Sequence, residues 1–275
     1  MKDDLGNRMK EYEMAEAGHR LMPGLPICAR IDGKRFSRFT EGFARPFDLR
    51  LSRLMVDTTR HLVEETAARI GYTQSDEISL VWLDEDPKTQ SFLDRRVQKL
   101  TSILASMTTA YFNAHLAAAI PERAGVSALF DCRVWAVPSR DEAANVLLWR
   151  ELDATKNSVS MATRAHYSHA DVDGRDNAQM HELLFQKGVN WNDYPPFFKR
   201  GTFLQRRAVE RAFTTVELET LPPHHAARRN PHLVVTRSAV VELEMPAFGK
   251  VLNRAGVIFD AQAPQTASHL RPDKE

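Results

Sequence analysis

The order of strand-like and helix-like segments between Pro26 and Pro138 constrains this chain more than any other feature. A short apolar run, PICARID, ends at Asp32-Gly33. Asp48 then reads as the N-cap of a helix. Leu51, Leu54, Met55, Leu62, Val63 and Ile70 carry it at helical spacing to about Ile70, with Gly71 ending it. In Tyr72 to Trp82, Ile78, Leu80 and Trp82 alternate with Glu77, Ser79 and Val81, as in a strand or hairpin. A second long helix is expected from about Lys88 to Leu116, burying Phe92, Leu100, Ile103, Leu104, Met107 and Tyr111. Val126 to Val137 reads as a strand halted by Pro138. Strand, helix, hairpin, helix, strand is the order of a ferredoxin-like split βαβ sheet with both helices on one face, an α+β class.

The flanks are plainer. Residues 3–20 read as a polar helix, and Pro23 and Pro26 bracket a turn. Ser139 with Glu142 three residues later signals a capping box opening a helix that runs through Trp149 and beyond Asn157. Further on, the pattern predicts a helix near Met180 to Gln186 and an extended Trp191–Phe198 segment. Strands are expected near Thr202–Gln205, Arg211–Glu217 and Leu233–Leu243. The division expected is a catalytic sheet domain over 1–138, a helical and β extension packed on it over 139–262, and a flexible tail over 263–275.

Composition excludes several classes. Lys plus Arg number 37 against 36 Asp plus Glu in 275 residues, so a polycationic nucleic-acid tail is not present, although a local basic face is allowed. Cys28 and Cys132 both sit in apolar runs and read as buried, reduced thiols of a cytoplasmic protein. The charged N-terminal stretch lacks an apolar signal region, and no run approaches a membrane span, so neither secretion nor membrane insertion is expected. His166 with His169, and His224 with His225, lack complementary zinc ligands. No GxxxxGK[ST], GxGxxG or GxSxG occurs, which removes P-loop, Rossmann and serine-hydrolase chemistry.

What remains is a set of carboxylates at strand ends. Asp32 closes one strand and Asp76-Glu77 opens the next hairpin; on a split βαβ sheet those ends are neighbours. Paired carboxylates suit Mg²⁺, which takes one or two of them together with substrate phosphates. The same residues also read as ordinary turn formers. Gly33 opens GKRFS, where backbone N–H groups can approach a triphosphate. Arg95, Arg96 and Lys99, then Arg133, then Lys199, Arg200, Arg206 and Arg207 form cationic clusters, either solvated faces or phosphate contacts.

Six fragments in order, ARIDGKRFSRF, FARPFD, GYTQSDEISLVW, FDCRVWAVPS, LLWRELDATKNS and FFKRGT, resemble the tRNA(His) guanylyltransferase family over roughly Pro26 to Gln205. The resemblance implies a polymerase-type palm, two Mg²⁺ ions, and addition of nucleotides to the 5′ end of tRNA in the 3′-to-5′ direction. Asp32, Gly33 and Asp76 would hold the metals, with Glu77 supporting them in the catalytic set. Gly33, Lys34, Arg35, Phe36, Ser37, Arg45, Asp48 and Ser75, with Asp32 and Asp76, would bind the nucleotide. Arg95, Arg96, Lys99, Arg133, Asp153, Asn157, Lys199 and Arg200 would meet a second triphosphate or the RNA.

Where eukaryotic members carry His-Ile-Asn-Asn, this chain keeps Asp153 and Asn157 but has no histidine. That is similar to the bacterial and archaeal branch, which repairs 5′-truncated tRNA by template-dependent addition. The implied substrates are ATP, GTP and other NTPs with an incomplete tRNA, and the implied assembly is a homotetramer, a dimer of dimers. The rival readings are a nucleotidyl cyclase-like palm enzyme and a catalytically silent tRNA-binding protein.

Overall fold

The fold is built around one six-stranded antiparallel sheet, in the order β4-β1-β3-β2-β5-β6. The strands are β1 (Ile27–Gly33), β2 (Ile70–Gln74), β3 (Glu77–Trp82), β4 (Phe130–Ala136), β5 (Thr202–Ala212) and β6 (Val234–Glu242). The longer helices are α1 (Asp4–Ala17), α3 (Leu49–Thr66), α4 (Val97–Ala119), α5 (Arg140–Arg164) and α7 (Asn177–Gln186). Between and after them lie α2 (Phe36–Phe39), α6 (His169–Val172), α8 (Pro196–Arg200), α9 (Thr215–Thr220), α10 (Ala226–Arg229) and α11 (Arg254–Asp260). The structure is a computed structural model and describes residues 4–86, 88, 90–230 and 232–267.

Both faces of the central strands are covered. On one, Ala29, Ile31, Ile78, Leu80 and Trp82 pack against Leu54, Leu62 and Val63 of α3 and Leu104, Phe112 and Leu116 of α4. On the other, Cys28, Tyr72 and Val81 meet Leu147 of α5, Phe248, and Val257 and Ile258 of α11. Each Leu, Ile, Val or Phe among them contributes about 1.5–3 kcal/mol by leaving water. All six residues of β3 are buried, because α5 lies over the row of Glu77, Ser79 and Val81. Helices α3 and α4 do share one face, as the βαβ order requires.

Several boundaries differ from the sequence expectation for physical reasons. Asp48 caps α3 by accepting the Arg50 N–H at 2.9 Å, but the helix stops at Thr66, with Ala67 left-handed at φ 52°. Gly71 therefore lies within β2. A Cβ there would come within 2.7 Å of Val63 Cγ2 and 2.8 Å of Thr59 Cγ2, so this glycine lets α3 press against the sheet. Helix α4 begins at Val97, not Lys88, because Leu93, Asp94 and Arg95 all take positive φ in a tight turn that stacks Phe92 on Trp82 at 6.2 Å. Apolar spacing cannot distinguish that turn from a first helical turn. Strand β4 starts at Phe130, leaving Val126 and Leu129 exposed in the preceding loop.

The second half shows larger corrections. The segment expected to be extended, Trp191–Phe198, is a 3₁₀ turn over Trp191–Asp193 followed by α8 with proline at its start. The separate strands expected at Thr202–Gln205 and Arg211–Glu217 are one strand, β5, and α9 replaces the end of the second. The Thr214–Glu217 capping box opens that helix. Beyond its pairing with β2 at Thr202–Leu204, β5 pairs with β6 alone, forming a two-stranded ribbon. Arg211 and Arg237 close on Glu217 at 2.7 and 2.6 Å and pin α9 to the ribbon; hydrogen bonds from Arg211 and then the Thr214 N–H hold that carboxyl well below its usual range.

Ser139 Oγ accepts the Glu142 N–H at 3.1 Å, and α5 runs on to Arg164. Of the thiols, Cys28 is buried and Cys132 only half-buried. Within the expected tail, Gln265 bonds Leu252 at 2.8 Å and Asn253 at 2.9 Å, while residues 268–275 lie outside the described ones. No helix among the described residues is long and apolar enough to cross a membrane.

Candidate active site

Antiparallel pairing brings the acidic residues to one end of the sheet. Asp32 on β1 stands opposite Glu77 on β3 and Asp131 on β4, three carboxylates in a row across neighbouring strands. The turn between β2 and β3 places Asp76 beside them: the Gly33 N–H donates to the Asp76 carbonyl at 3.2 Å. Burial, and then the negative charge of Asp32, push the Asp76 carboxyl up to about 6. Asp32 and Asp76, far apart in the chain, thus line a single cleft of about 310 Å³.

Their neighbours are already neutralised. Glu77 receives Arg150 Nε at 2.6 Å and Nη2 at 2.7 Å, a buried two-point ion pair. Burial nonetheless raises the Glu77 pKa. Arg150 also reaches Asp153 at 3.0 Å and lies over the Trp149 ring. Asp131 pairs with Arg133 at 3.5 Å on the exposed edge strand. Among the described residues, no group of three His, Cys, Asp or Glu side chains can hold a metal by itself. What remains is a like-charged carboxylate pair whose repulsion a divalent cation relieves. That donor set fits Mg²⁺, which completes its shell with water and phosphate oxygens.

The loop after Asp32 is divided. A Cβ on Gly33 would strike the Phe36 ring at 2.2 Å, and that ring is buried against Phe39, Phe112 and Phe130. Phe36 therefore shapes the loop from below and offers no side-chain surface to a ligand. Lys34 and Arg35 line a small basic crevice with Arg38 and Arg123, separate from the carboxylate cleft. Ser37, Arg45, Asp48 and Ser75 line a second cleft of about 350 Å³, walled by Phe43, Phe47 and Phe198. The Asp48 carboxylate is committed there to Arg50, at 3.0 and 2.7 Å, which brings it down to about 2.

The expected RNA-facing cations do not converge. Arg95, Arg96 and Lys99 stand where Phe92 stacks on Trp82, and Trp82 pairs with Ile27 at the start of β1. At ~3.4 Å per residue that end lies roughly 17 Å from Asp32. These cations cannot touch a phosphate that lies at Asp32. Lys199 is buried; it donates to the Asn192 carbonyl and lies over Trp191, 5.4 Å from the ring centroid. Arg200 sits 4.0 Å from Glu151. Asn157 does line both the carboxylate cleft and the aromatic-walled cleft.

Arg150, Met161 and Arg164 were not singled out in the sequence. A signal existed for Arg150: it shares one helical stripe with Ala143, Leu147 and Ala154, all buried, and a cation on such a stripe needs a buried anion.

A palm-type sheet with two unneutralised carboxylates at its rim, flanked by an aromatic-walled cleft, is the architecture of a nucleotidyltransferase. The family model for tRNAHis guanylyltransferase matches residues 6–138. The Schizosaccharomyces pombe tRNA(His) guanylyltransferase is 30% identical over 74% of this chain and 80% of its own length. The bacterial tRNA(His) guanylyltransferase-like protein solved in complex with ATP superposes with a TM-score of 0.74 at 33% identity, over 90% of this chain and 95% of that one. A bacterial tRNA(His) guanylyltransferase-like protein in complex with GTP superposes with a TM-score of 0.70 at 32% identity. The Saccharomyces cerevisiae tRNA(His) guanylyltransferase structure aligns at TM-score 0.60 and 27% identity, over 68% of this chain and 88% of that one. The chain belongs to the tRNA(His) guanylyltransferase family.

Proposed function

We propose that this protein is a Mg²⁺-dependent tRNA nucleotidyltransferase that adds nucleotides to the 5′ end of an incomplete tRNA in the 3′-to-5′ direction, directed by the opposing strand. The observation that carries the reading is the convergence of Asp32 and Asp76, neither of which forms an ion pair among the described residues. The ATP- and GTP-bound relatives support the substrate class. In the first step the RNA 5′-phosphate oxygen attacks the α-phosphorus of ATP or GTP, and pyrophosphate leaves. In the second, the 3′-hydroxyl of an incoming NTP attacks the activated RNA phosphorus, losing its proton as the nucleoside monophosphate departs.

Asp32, Asp76 and the Gly33 carbonyl would hold two Mg²⁺ ions. When bound, these lower the pKa of the attacking hydroxyl and offset charge on the leaving oxygen. The Arg150–Glu77 pair fixes the first residue of β3, and so the turn that aims Asp76. The aromatic-walled cleft orients a nucleoside beside the carboxylates. Selection of the added base falls to pairing with the acceptor strand. The enzyme works in the cytoplasm as a homotetramer, which sedimentation of the purified chain tests. The deciding experiment supplies a 5′-truncated tRNA, Mg²⁺ and each NTP singly. Growth at the 5′ end according to the opposing base supports the reading, and addition of G whatever stands opposite, or no addition, refutes it.

A further inference from the structure

Two clefts meet beside the carboxylate pair. One holds Asp32, Asp76 and Ser160; the other is walled by Phe43, Phe47 and Phe198. Five residues line both: Gln74 and Ser75 on the hairpin turn, and Asn157, Met161 and Arg164 on α5. The last three fall at i, i+4 and i+7 and so share one helical face. The passage between the clefts thus has one wall from α5 and one from the β2–β3 turn.

Arg164 is the one cation that lines the carboxylate cleft among the described residues. Its guanidinium has no hydrogen bond or ion pair among them. Of the neighbouring arginines, Arg150 is held by Glu77 and Asp153 and Arg133 by Asp131, while Arg30 lies 4.0 Å from Glu77 and over the Trp149 ring. An exposed arginine in the last turn of a helix is favoured by the helix dipole alone, which accounts for its being tolerated there but not for its facing the passage.

We propose that Arg164 is a phosphate-binding residue, gripping the polyphosphate chain of a nucleoside triphosphate where it passes from the aromatic-walled cleft to the carboxylates. The assignment rests on the nucleotidyl-transfer reading above. A planar guanidinium offers two parallel N–H donors to non-bridging phosphate oxygens, which a lysine ammonium cannot reproduce. Gln74, Ser75 and Asn157 add polar side chains around the same passage. The nucleoside then lies on the aromatic side and its phosphates on the acidic side, where Mg²⁺ would offset the repulsion between phosphate and carboxylate. The 5′-phosphate of an RNA has the same chemistry, and the experiment separates the two sources.

The full chain is compared with Arg164→Ala and Arg164→Lys by equilibrium titration in Mg²⁺ buffer. The ligands are ATP, adenosine, and one truncated RNA carrying either a 5′-phosphate or a 5′-hydroxyl. Loss of a charge-assisted phosphate contact weakens ATP binding about 10- to 100-fold in Arg164→Ala. Adenosine binding stays within about two-fold, Arg164→Lys recovers part of the loss, and thermal unfolding is unchanged. Unchanged ATP affinity overturns the assignment, as does equal weakening of ATP and adenosine. Loss confined to the 5′-phosphorylated RNA also overturns it, transferring the residue to the RNA end. The titration needs no turnover. Failure of the wild type to extend tRNA therefore refutes the function proposed above, while the Arg164 assignment is judged on ATP binding alone.

Discussion

Removing Arg150 tests whether the buried ion pair holds the catalytic end of the sheet together. Its side chain is 6% exposed and that of Glu77 8%, with two short contacts between them. Breaking such a pair from one side strands a charge in a dry site, at a cost of about 3–5 kcal/mol. Arg30 remains 4.0 Å from Glu77 and offers partial compensation, while Asp32 across the strand adds repulsion. The cost of Arg150→Met is therefore placed near the lower bound, ~3 kcal/mol.

Replacing both members, as Glu77→Leu with Arg150→Met, removes the stranded charge and leaves hydrophobic surface beneath α5; the double variant should lie within about 1 kcal/mol of wild type. Urea unfolding of the four proteins followed by circular dichroism closes the cycle. A coupling of about 2 kcal/mol or more is expected between the two sites. An Arg150→Met variant as stable as wild type, or a double variant that merely sums the single losses, would refute the reasoning. Activity gives a second readout. The double variant should fold yet turn over slowly, because the turn bearing Asp76 has lost its fixed anchor.

Asp76→Asn should abolish both transfer steps, and in EDTA its melting temperature should equal or exceed that of wild type, since the substitution removes a buried charge facing Asp32. A lower melting temperature in calorimetry would contradict the account of the pair. Glu151 is 3% exposed, accepts the Phe248 N–H at 2.8 Å, and burial raises its carboxyl from 4.5 to about 7. The folded state therefore holds a proton that the unfolded state releases. Stability conferred by this group is greatest below pH 4.5, falls as pH rises to about 7 and is flat above, by ~3 kcal/mol in all. Glu151→Gln keeps an acceptor for Phe248 and should lose that slope, so an unfolding free-energy difference from wild type that ignores pH rules the mechanism out. Gly71→Ala forces a Cβ into Val63 and Thr59 and should cost about 1–3 kcal/mol by denaturant unfolding. A neutral result would mean that α3 can shift away from the sheet.

Local pattern alone determined the order of elements through β4, the shared face of α3 and α4, the capping residues Asp48 and Ser139, and the strand-end positions of Asp32 and Asp76. Those are consequences of short-range periodicity and of side chains bonding their own backbone. Tertiary structure decided what α5 covers, and with it that β3 is buried on both faces, that Glu77 needs Arg150, and that Lys199 turns toward Trp191. It also separated Arg95, Arg96 and Lys99 from the carboxylates and placed Arg164 between the two clefts. Such facts depend on which distant segments share a desolvated space, and a charge acquires its role only from the partner that burial brings to it. One strand's hydrophobic rhythm contains no record of that partner.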